Sequence, residues 1–141
     1  MTLILSKKYN PLFDSKARYF IITGGRGSGK SFAVTVFLTL LTMSRGIRVL
    51  FTRFTMTSAH LSIIPEFLEK IGLLGFDETF NINKSEVVNA KNKSDILFRG
   101  IKTSAGNQTA SLKSLQGIST WVLDEAEELV DENIFDTIDL S

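Results

Sequence analysis

The residues whose types and spacing can perform chemistry begin with one glycine-rich segment. Residues 24–31 read GGRGSGKS and match G-x-x-x-x-G-K-[ST] at every fixed position. Glycines let the backbone curl so that successive N–H groups point inward at a phosphate. By its place in the pattern, Lys30 would reach the β- and γ-phosphates of ATP and Ser31 would put its hydroxyl on Mg²⁺. The predicted nucleotide-binding residues are Gly24, Gly25, Arg26, Gly27, Ser28, Gly29, Lys30 and Ser31.

A plain glycine-rich turn is the alternative for this segment, and its flanks favour the phosphate site. An apolar, β-branched run comes before the glycines, and a long apolar run comes after them. A helix that begins at the end of the loop would add the positive end of its dipole. Arg26, inside the loop, can swing toward the γ-phosphate and stabilise transition-state charge. We therefore predict a catalytic role for Arg26, with a solvent-facing loop residue as the alternative.

Two adjacent acids form the second candidate group. Residues 121–125 read WVLDE, so a short apolar strand would carry Asp124 and Glu125 to the edge of a sheet. Ligands of open α/β sheets bind outside the carboxyl ends of the strands. Hydrolysis needs one group for the metal and another for the attacking water, so we assign Asp124 to Mg²⁺ and Glu125 to catalysis. The alternative is an acidic helix start that continues into Glu127 and Glu128.

A third segment matches the sequence pattern of a guanine-binding motif. Residues 92–95 read NKSD, which fits the N-K-x-D pattern by which GTPases read guanine. In those proteins the pattern follows a buried strand and lies after the metal-binding acid. Here it precedes a predicted strand and lies before Asp124. We interpret residues 92–95 as a polar turn.

These side chains need elements that position them. Residues 19–23, YFIIT, predict a buried parallel strand directly before the glycines. Residues 31–44 lack Gly and Pro and predict a buried helix, and residues 48–52 predict a second strand. Together they form the strand–loop–helix–strand unit that joins two parallel strands.

The rest of the chain predicts a mixed pattern of short elements. Residues 57–71 read as a helix that Pro65 kinks or breaks. Residues 103–119 read as loop with a short helix, and an acidic helix is expected from Glu125 onward. Short strands are predicted at residues 79–82, 86–90, 96–99 and 120–123, with a turn at 91–94. The predicted fold class is α/β, a mainly parallel sheet flanked by helices with a small β-hairpin excursion.

The amino-acid composition limits the structural classes to which this protein can belong. The 141 residues are 43% apolar, which suits one domain with a real core. The absence of cysteine excludes disulfides and Cys-based zinc sites, and the one histidine, His60, cannot build a multi-His site. No apolar run reaches the ~20 residues of a membrane span, and the N-terminus does not read as a signal peptide. We therefore expect a soluble protein that is not exported.

Charge is uneven along the chain. Residues 1–70 hold ten Lys/Arg and three Asp/Glu, whereas residues 71–141 hold six and twelve. The basic half can face nucleic acid, or it can be a phosphate-binding half beside an acidic helix. Charge by itself does not choose between these two interpretations.

The amino-acid sequences of several segments resemble the large terminase subunit of tailed bacteriophages. The likeness is carried by residues 19–31 (YFIITGGRGSGKS) and 112–129 (LKSLQGISTWVLDEAEEL), which include QGIS before the acidic pair. Residues 49–53, VLFTR, add a strand that ends in arginine. The resemblance spans residues 17–135, and its two main motifs are specific only as a pair.

That resemblance implies a P-loop NTPase fold of the additional-strand, catalytic-glutamate type. It implies an ATP hydrolase that drives double-stranded DNA into a preformed capsid, at the prohead in the host cytoplasm. By position, Lys30 and Ser31 would bind phosphate and Mg²⁺, Asp124 would bind the metal, and Arg26 and Glu125 would act in catalysis. The implied partners are double-stranded DNA, the portal protein, the small terminase subunit and further copies in a ring, without a membrane.

The resemblance also implies contacts that it does not settle. The family uses an arginine from a neighbouring subunit, for which Arg53 and Arg99 are both candidates. Adenine contacts come from upstream of the loop, which points to residues 9–13. The chain ends at Ser141, before a coupling motif and a nuclease domain. We therefore expect residues 1–141 to be an ATPase domain truncated at its C-terminus, with weak turnover and no DNA cleavage.

Other functions share these motifs. A helicase- or recombination-type ATPase has the same core, and a nucleotide-dependent assembly module would bind ATP with little turnover. A small-molecule kinase is a further alternative, although Glu125 beside Asp124 favours water as the acceptor.

Overall fold

A mixed β-sheet with helices on both faces organises the chain. The computed structural model describes residues 5–14, 16–56, 61, 63–103, 106–107, 112, 115–130 and 132–139. The helices are α1 (Pro11–Asp14), α2 (Lys30–Ser44), α3 (Ile63–Leu73) and α4 (Glu132–Asp139), with 3₁₀ turns at Lys7–Tyr9 and Ala126–Glu128. The strands are β1 (Arg48–Thr55), β2 (Phe80–Ile82), β3 (Glu86–Asn89), β4 (Asp95–Thr103), β5 (Gly106–Asn107) and β6 (Ile118–Leu123).

The sheet order confirms the α/β class, but the described sheet is mixed rather than mainly parallel, with two parallel and three antiparallel pairings. Five strands follow the order β2-β3-β4-β1-β6, and β5 pairs with β4 beside them. β1 is parallel to both β4 and β6, while β3 is antiparallel to β2 and β4. The hairpin predicted as a separate excursion is therefore part of the main sheet. Its last strand extends over Asp95–Thr103 because β1 lies alongside it.

Two cores form because side chains alternate across the central strand. Phe51 packs with α2 and α3 on one face, and Leu50 packs toward Ile138 of α4 on the other. On the first face, Phe67 of α3 meets Phe51 nearly edge-on, with ring centroids 6.0 Å apart. On the second, Trp121 of β6 lies 5.2 Å from the ring of Phe135 in α4. The strands that carry the candidate residues are thus held from both sides.

The predicted helix at 31–44 is confirmed as α2, although its sequence is rich in threonine. Thr35, Thr39 and Thr42 are buried, and each hydroxyl donates to a carbonyl one turn earlier at 2.7–2.9 Å. Such back-bonding satisfies the hydroxyl inside the helix. The threonines can therefore face the core, in which Leu38 of α2 belongs to the same apolar cluster as Val49 and Phe51 of β1.

The predicted helix at 57–71 is confirmed in part as α3, and the expected proline kink is wrong. Pro65 is the third residue of α3, in the first turn, where a missing N–H costs little. Residues 57–60, with His60, and residue 62 lie outside the described residues. Of the segment 103–119, residues 104–105, 108–111 and 113–114 also lie outside them.

The polar turn predicted at 91–94 is confirmed, and it ties α2 to β4. The amide nitrogens of Asn89 and Asn92 both donate to the carbonyl of Thr42, at 3.2 and 2.7 Å. The hydroxyl of Ser94 donates to the carbonyl of Arg45 at 2.8 Å. These bonds satisfy carbonyls that the helix end leaves without partners.

The acid of the NKSD segment has a structural partner of its own. Asp95 accepts two hydrogen bonds from Arg48, from Nε at 3.0 Å and from the terminal nitrogen at 3.1 Å. This bidentate pair joins the first residues of β1 and β4, which lie opposite each other in the register. Residues 92–95 thus help to join β1 and β4 at the amino end of the sheet.

The strand predicted at 19–23 is wrong. These residues pair with no described strand, and Ile21 is 90% exposed, Tyr19 54% and Phe20 40%. Instead, the hydroxyl of Tyr19 donates to Asp139 of α4 at 2.7 Å. An apolar, β-branched run favours a strand only where a neighbouring strand supplies partners for its backbone. β6 ends the described sheet, and nothing there receives residues 19–23.

The strand predicted at 120–123 is confirmed, but its surroundings differ from the prediction. β6 starts two residues earlier, and most of its side chains are half-buried because it lies at the sheet edge. The predicted start of the acidic helix at Glu125 is wrong. A 3₁₀ turn at Ala126–Glu128 comes first, and the helix begins only at Glu132. Within the described residues, no helix is long and apolar enough to cross a membrane.

Candidate functional site

The glycine-rich loop forms a tight turn that opens α2. Gly27 and Gly29 adopt positive φ of 77° and 81°, a backbone region that suits glycine, and the N–H of Ser28 donates to the carbonyl of Gly25 at 3.3 Å. Gly29 is the residue immediately before the helix. The helix that follows is 15 residues long, so its first N–H groups and its dipole face whatever the loop encloses.

The loop has the open space that a phosphate would need. A methyl group added at the Cα of Gly25, Gly27 or Gly29 would meet no atom within 4 Å. At Gly24 the same addition would approach the hydroxyl of Ser28 to 2.9 Å, so this position requires glycine. The Ser28 hydroxyl oxygen is itself buried without a hydrogen-bond partner among the described residues. Open glycines, a helix start and an unpartnered hydroxyl all fit a phosphate group.

Lys30 closes this loop on itself. Its ammonium nitrogen donates to the carbonyl of Gly24 at 2.8 Å, across the mouth of the turn. A phosphate oxygen is a stronger acceptor for an ammonium than a neutral carbonyl is, because both groups are then charged. Lys30 can therefore exchange this partner for a phosphate. Ser31 and Arg26 are both exposed, which leaves them accessible to a ligand at the loop.

The acidic pair is positioned by the register of β1 and β6. Thr52 lies opposite Leu123, and the next N–H, that of Asp124, still donates to the carbonyl of Thr52 at 2.9 Å. The buried Thr52 hydroxyl accepts from the indole of Trp121 at 2.8 Å and donates to the carbonyl of Val122 at 2.9 Å. These bonds fix where β6 ends, and with it the position of Asp124.

Arg53 binds the carboxylate of Asp124 within the same chain. Its Nε lies 2.7 Å from Oδ2, and both side chains are less than a third exposed. Burial by itself would lower the pKa of Arg53, but the hydrogen bond and charge of Asp124 outweigh it. The charges of Glu125 and Glu66 raise the pKa of Arg53 further. Arg53 thus contacts Asp124 directly and is stabilised in its charged form by the negative charges of Glu125 and Glu66 as well.

Glu125 has an unusual backbone for a residue with a side chain. Its φ of 52° and ψ of 50° lie in the left-handed region, which costs such a residue roughly 1–2 kcal/mol. Its side chain is exposed at the carboxyl end of β6. Partial desolvation, then the charge and hydrogen bond of Glu125 and the charge of Glu127, raise the pKa of Glu128. Backbone strain of this kind recurs at functional sites, although Lys93 in the polar turn also has a positive φ of 64°.

The two halves of the candidate site lie at the ends of two different elements. The loop lies at the start of α2, and the acidic pair follows the end of β6. α2 is about 22 Å long at 1.5 Å per residue, and three residues join its end to the start of β1. The end of α2 therefore lies near the amino end of β1, and the glycine loop lies at the opposite end of the helix. Among the described residues, however, no hydrogen bond or ion pair joins the loop to Asp124 or Glu125.

A metal site made only of protein ligands is not part of this arrangement. Within the described ranges, no group of three His, Asp or Glu side chains could hold a metal ion. Mg²⁺ does not require one, because it commonly takes one or two carboxylates together with substrate phosphates and waters. The predicted ligands Ser31 and Asp124 are of the type that Mg²⁺ accepts.

Arg53 and Arg99 are the two candidates for an arginine that acts on a neighbouring subunit. Within their own chain they contact different groups. Arg53 is paired with Asp124 as described. One terminal nitrogen of Arg99 donates to the carbonyls of Phe98 at 2.9 Å and Ser85 at 3.4 Å. Which of the two reaches a neighbouring subunit stays a prediction.

Sequence reasoning missed two sets of contacts. One is the Arg53–Asp124 pair, although the arginine at the end of its strand was the available signal. The other is at the loop itself, where Lys8 and Tyr9 both donate to the carbonyl of Ser28. The resemblance pointed to residues 9–13 for adenine, and nothing in the types of residues 8 and 9 indicated a contact with the loop.

Comparison with known proteins assigns most of the chain to a family. A family model described as phage terminase large subunit matches residues 16–140. The match therefore covers the glycine-rich loop, every described strand and the acidic pair. A search of curated proteins found no match.

Proposed function

This chain belongs to the phage terminase large subunit family, and from that premise we propose that it is an ATPase motor of DNA packaging. Family membership indicates a role in phage DNA packaging and an ATPase type of activity in general. The finer proposal is hydrolysis of ATP to drive double-stranded DNA into the capsid. The observation that carries it is the glycine loop, which is open at Gly25, Gly27 and Gly29 and leads directly into α2.

In the proposed mechanism the loop binds and orients the triphosphate. The N–H groups of the loop and of the first turn of α2 supply donors, and Lys30 moves its ammonium from the carbonyl of Gly24 to the β- and γ-phosphates. Arg26 is exposed in the loop and adds positive charge as the γ-phosphoryl group leaves. A bound Mg²⁺ would neutralise charge on the phosphate oxygens.

The acidic pair supplies the other half of the mechanism. Asp124 and the hydroxyl of Ser31 would hold the metal ion. Glu125 accepts the proton of the attacking water, and its exposed side chain at the end of β6 suits that role. Arg53 keeps the carboxylate of Asp124 in a fixed orientation through its hydrogen bond of 2.7 Å. The charge of Arg53 also offsets the repulsion between two adjacent carboxylates.

The assembly in which this motor works is proposed from the family. The partners would be double-stranded DNA, the portal protein and the small terminase subunit, with several copies in a ring at the prohead in the host cytoplasm. A ring would also let Arg53 or Arg99 act on a neighbouring copy.

The first prediction tests the catalytic glutamate. ATP turnover is measured with and without double-stranded DNA for the wild type, Glu125→Gln and the control Glu127→Gln. Glu125→Gln should keep ATP binding and lose turnover by roughly 10²–10⁴-fold, because an amide cannot accept the proton of water. Glu127, an exposed acid two positions away, should tolerate the same change.

A second variant separates binding from catalysis. Lys30→Ala should abolish ATP binding, measured by calorimetry, because the main cation of the loop is lost. Equal turnover by the wild type and Glu125→Gln would refute the role of Glu125. Unchanged ATP affinity in Lys30→Ala would refute the phosphate site itself.

A further inference from the structure

Two donors from the N-terminal segment converge on one carbonyl of the glycine loop. The hydroxyl of Tyr9 donates to the carbonyl oxygen of Ser28 at 2.9 Å, and the ammonium of Lys8 donates to the same oxygen at 3.0 Å. The two residues are 19 and 20 positions away in sequence, so the contact is made by the fold. The Ser28 carbonyl is thus held by a phenol and a cation together.

The donors themselves are held in place. Tyr9 is only 6% exposed, and the ammonium of Lys8 lies 5.0 Å from the centre of its ring. Just after them, α1 rests on α2 through Phe13 and Phe37, whose rings meet edge-on with centroids 5.2 Å apart. Because α2 also carries the end of the loop, the N-terminal segment and the loop share one support.

The held carbonyl controls the direction of an N–H group. A trans peptide is planar, and its C=O and N–H point in opposite directions. The carbonyl of Ser28 and the N–H of Gly29 belong to one such peptide. Since the oxygen points toward Tyr9 and Lys8, the N–H of Gly29 points away from them.

This peptide would otherwise be free to rotate. A flip of this peptide changes ψ of Ser28 and φ of Gly29, which is +81°, and glycine accepts either sign of φ at little cost. A flip of the Ser28–Gly29 peptide would turn the N–H away from the phosphate and present a carbonyl oxygen in its place. Two hydrogen bonds on Ser28 oppose that flip.

We propose that Tyr9 and Lys8 are positioning residues that fix the Ser28–Gly29 peptide, so that the loop is preorganised for the phosphate chain of its nucleotide. This inference rests on the proposed phosphate site and adds a role that acts on phosphate rather than on the base. The buried ring of Tyr9, with its hydroxyl already engaged, is not available to stack on adenine.

The test compares ligands with and without a base. The variants are Tyr9→Phe and Lys8→Met, with Lys7→Met as the matched control, an exposed lysine one position from Lys8. Binding of ATP, ADP and inorganic tripolyphosphate with Mg²⁺ is measured by calorimetry, and the melting temperature of the ligand-free chain is measured alongside. Lys30→Ala serves as the reference for the phosphate site.

The expected result is a common loss for all three ligands. Tyr9→Phe and Lys8→Met should each weaken ATP, ADP and tripolyphosphate by the same factor, roughly three- to tenfold, as fits one lost hydrogen bond. Lys7→Met should bind as the wild type does. Tyr9→Phe keeps the buried ring, so its melting temperature should change little.

Three outcomes would overturn the inference. If only ATP and ADP weaken while tripolyphosphate does not, Tyr9 acts on the base. If the melting temperature falls and affinity is unchanged, the contact is only structural. If Lys30→Ala abolishes tripolyphosphate binding and Tyr9→Phe leaves it unchanged, the phosphate site stands and the positioning role fails. A Lys30→Ala chain that binds tripolyphosphate normally would instead remove the proposed function.

Discussion

At the scale of single residues, the pairing of Arg53 with Asp124 is the most consequential contact. The guanidinium of Arg53 lies 2.7 Å from Oδ2 of Asp124, the proposed metal ligand, and so holds one oxygen of that carboxylate. The register of β1 and β6 brings Arg53 and Asp124 together. Thr52 lies opposite Leu123, so the residues that follow them, Arg53 and Asp124, are neighbours. Arg53 thus has a role within its own chain, whether or not it also acts on a neighbouring copy.

The second prediction concerns this pair. Arg53→Ala should lower the free energy of unfolding by about 1–3 kcal/mol, because a partly buried carboxylate loses its partner. ATP turnover should fall as well, since Asp124 loses its fixed orientation. Arg53→Lys should recover part of the stability, because charge is kept while the planar geometry is lost. Urea denaturation and steady-state turnover are the two measurements.

A mixing experiment assigns the role to one chain or to its neighbour. Arg53→Ala and Glu125→Gln chains are combined, and turnover is compared with that of each variant alone. If Arg53 acts within its own chain, the mixture should gain no activity. Restored turnover in the mixture would show that a neighbouring chain supplies the arginine.

At the scale of elements, the amino end of the sheet is stabilised by a polar junction. The turn after β3 binds the last carbonyls of α2 and positions β4 beside β1 in one set of bonds. Asn89 is almost fully buried, donates to the carbonyl of Thr42 and accepts from the N–H groups of Lys91 and Asn92. Its removal would take the acceptor from the N–H groups of Lys91 and Asn92, while the carbonyl of Thr42 would keep its bond from Asn92.

The third prediction concerns this junction. Asn89→Ala should destabilise the chain by roughly 2–4 kcal/mol, because buried groups would remain unsatisfied. Asn81→Ala, an exposed asparagine on β2, should change stability by about 0.5 kcal/mol or less. Thermal denaturation followed by circular dichroism measures both. A small effect of Asn89→Ala would show that the turn does not stabilise the end of α2.

At the scale of the whole molecule, residues 16–23 before the glycine loop are attached more weakly than the helices on the two faces of the sheet. α2 and α3 cover one face with a continuous aromatic and aliphatic core. On the other face, α4 packs through a second apolar cluster, whereas Arg18 and Tyr19 contact α4 through Asp139, which accepts a hydrogen bond from Tyr19 at 2.7 Å and lies 3.7 Å from Arg18. An exposed pair of this kind contributes little to stability.

The fourth prediction follows from that difference. Hydrogen exchange should be orders of magnitude faster at the amides of residues 19–23 than at those of β1, because the former have no strand partner among the described residues. β4 is the internal control, since it pairs on both sides. Mass spectrometry of peptic fragments resolves these segments. Slow exchange at residues 19–23, equal to that of β1, would show that a strand forms there in solution.

Local patterns were sufficient to predict much of this protein. The glycine spacing of residues 24–31 predicted a loop at the start of a helix, because few backbones fit that pattern. The apolar runs predicted α2, β1 and β6, and the short strands on either side of the polar stretch 91–94 predicted a hairpin. The acidic pair was placed at the end of a strand for the same local reason. Each of these depends on residues close together in sequence.

Tertiary structure decided what depends on distant partners. Residues 19–23 have the composition of a strand but lack a neighbouring strand in the described sheet, and only the sheet order reveals this. The Arg53–Asp124 pair joins residues 71 positions apart, and the bond from Tyr9 to Ser28 joins residues 19 apart. Side-chain type and spacing determine which conformations a segment can adopt. Backbone partners and charge partners are supplied by the rest of the fold, so their identity appears only in three dimensions.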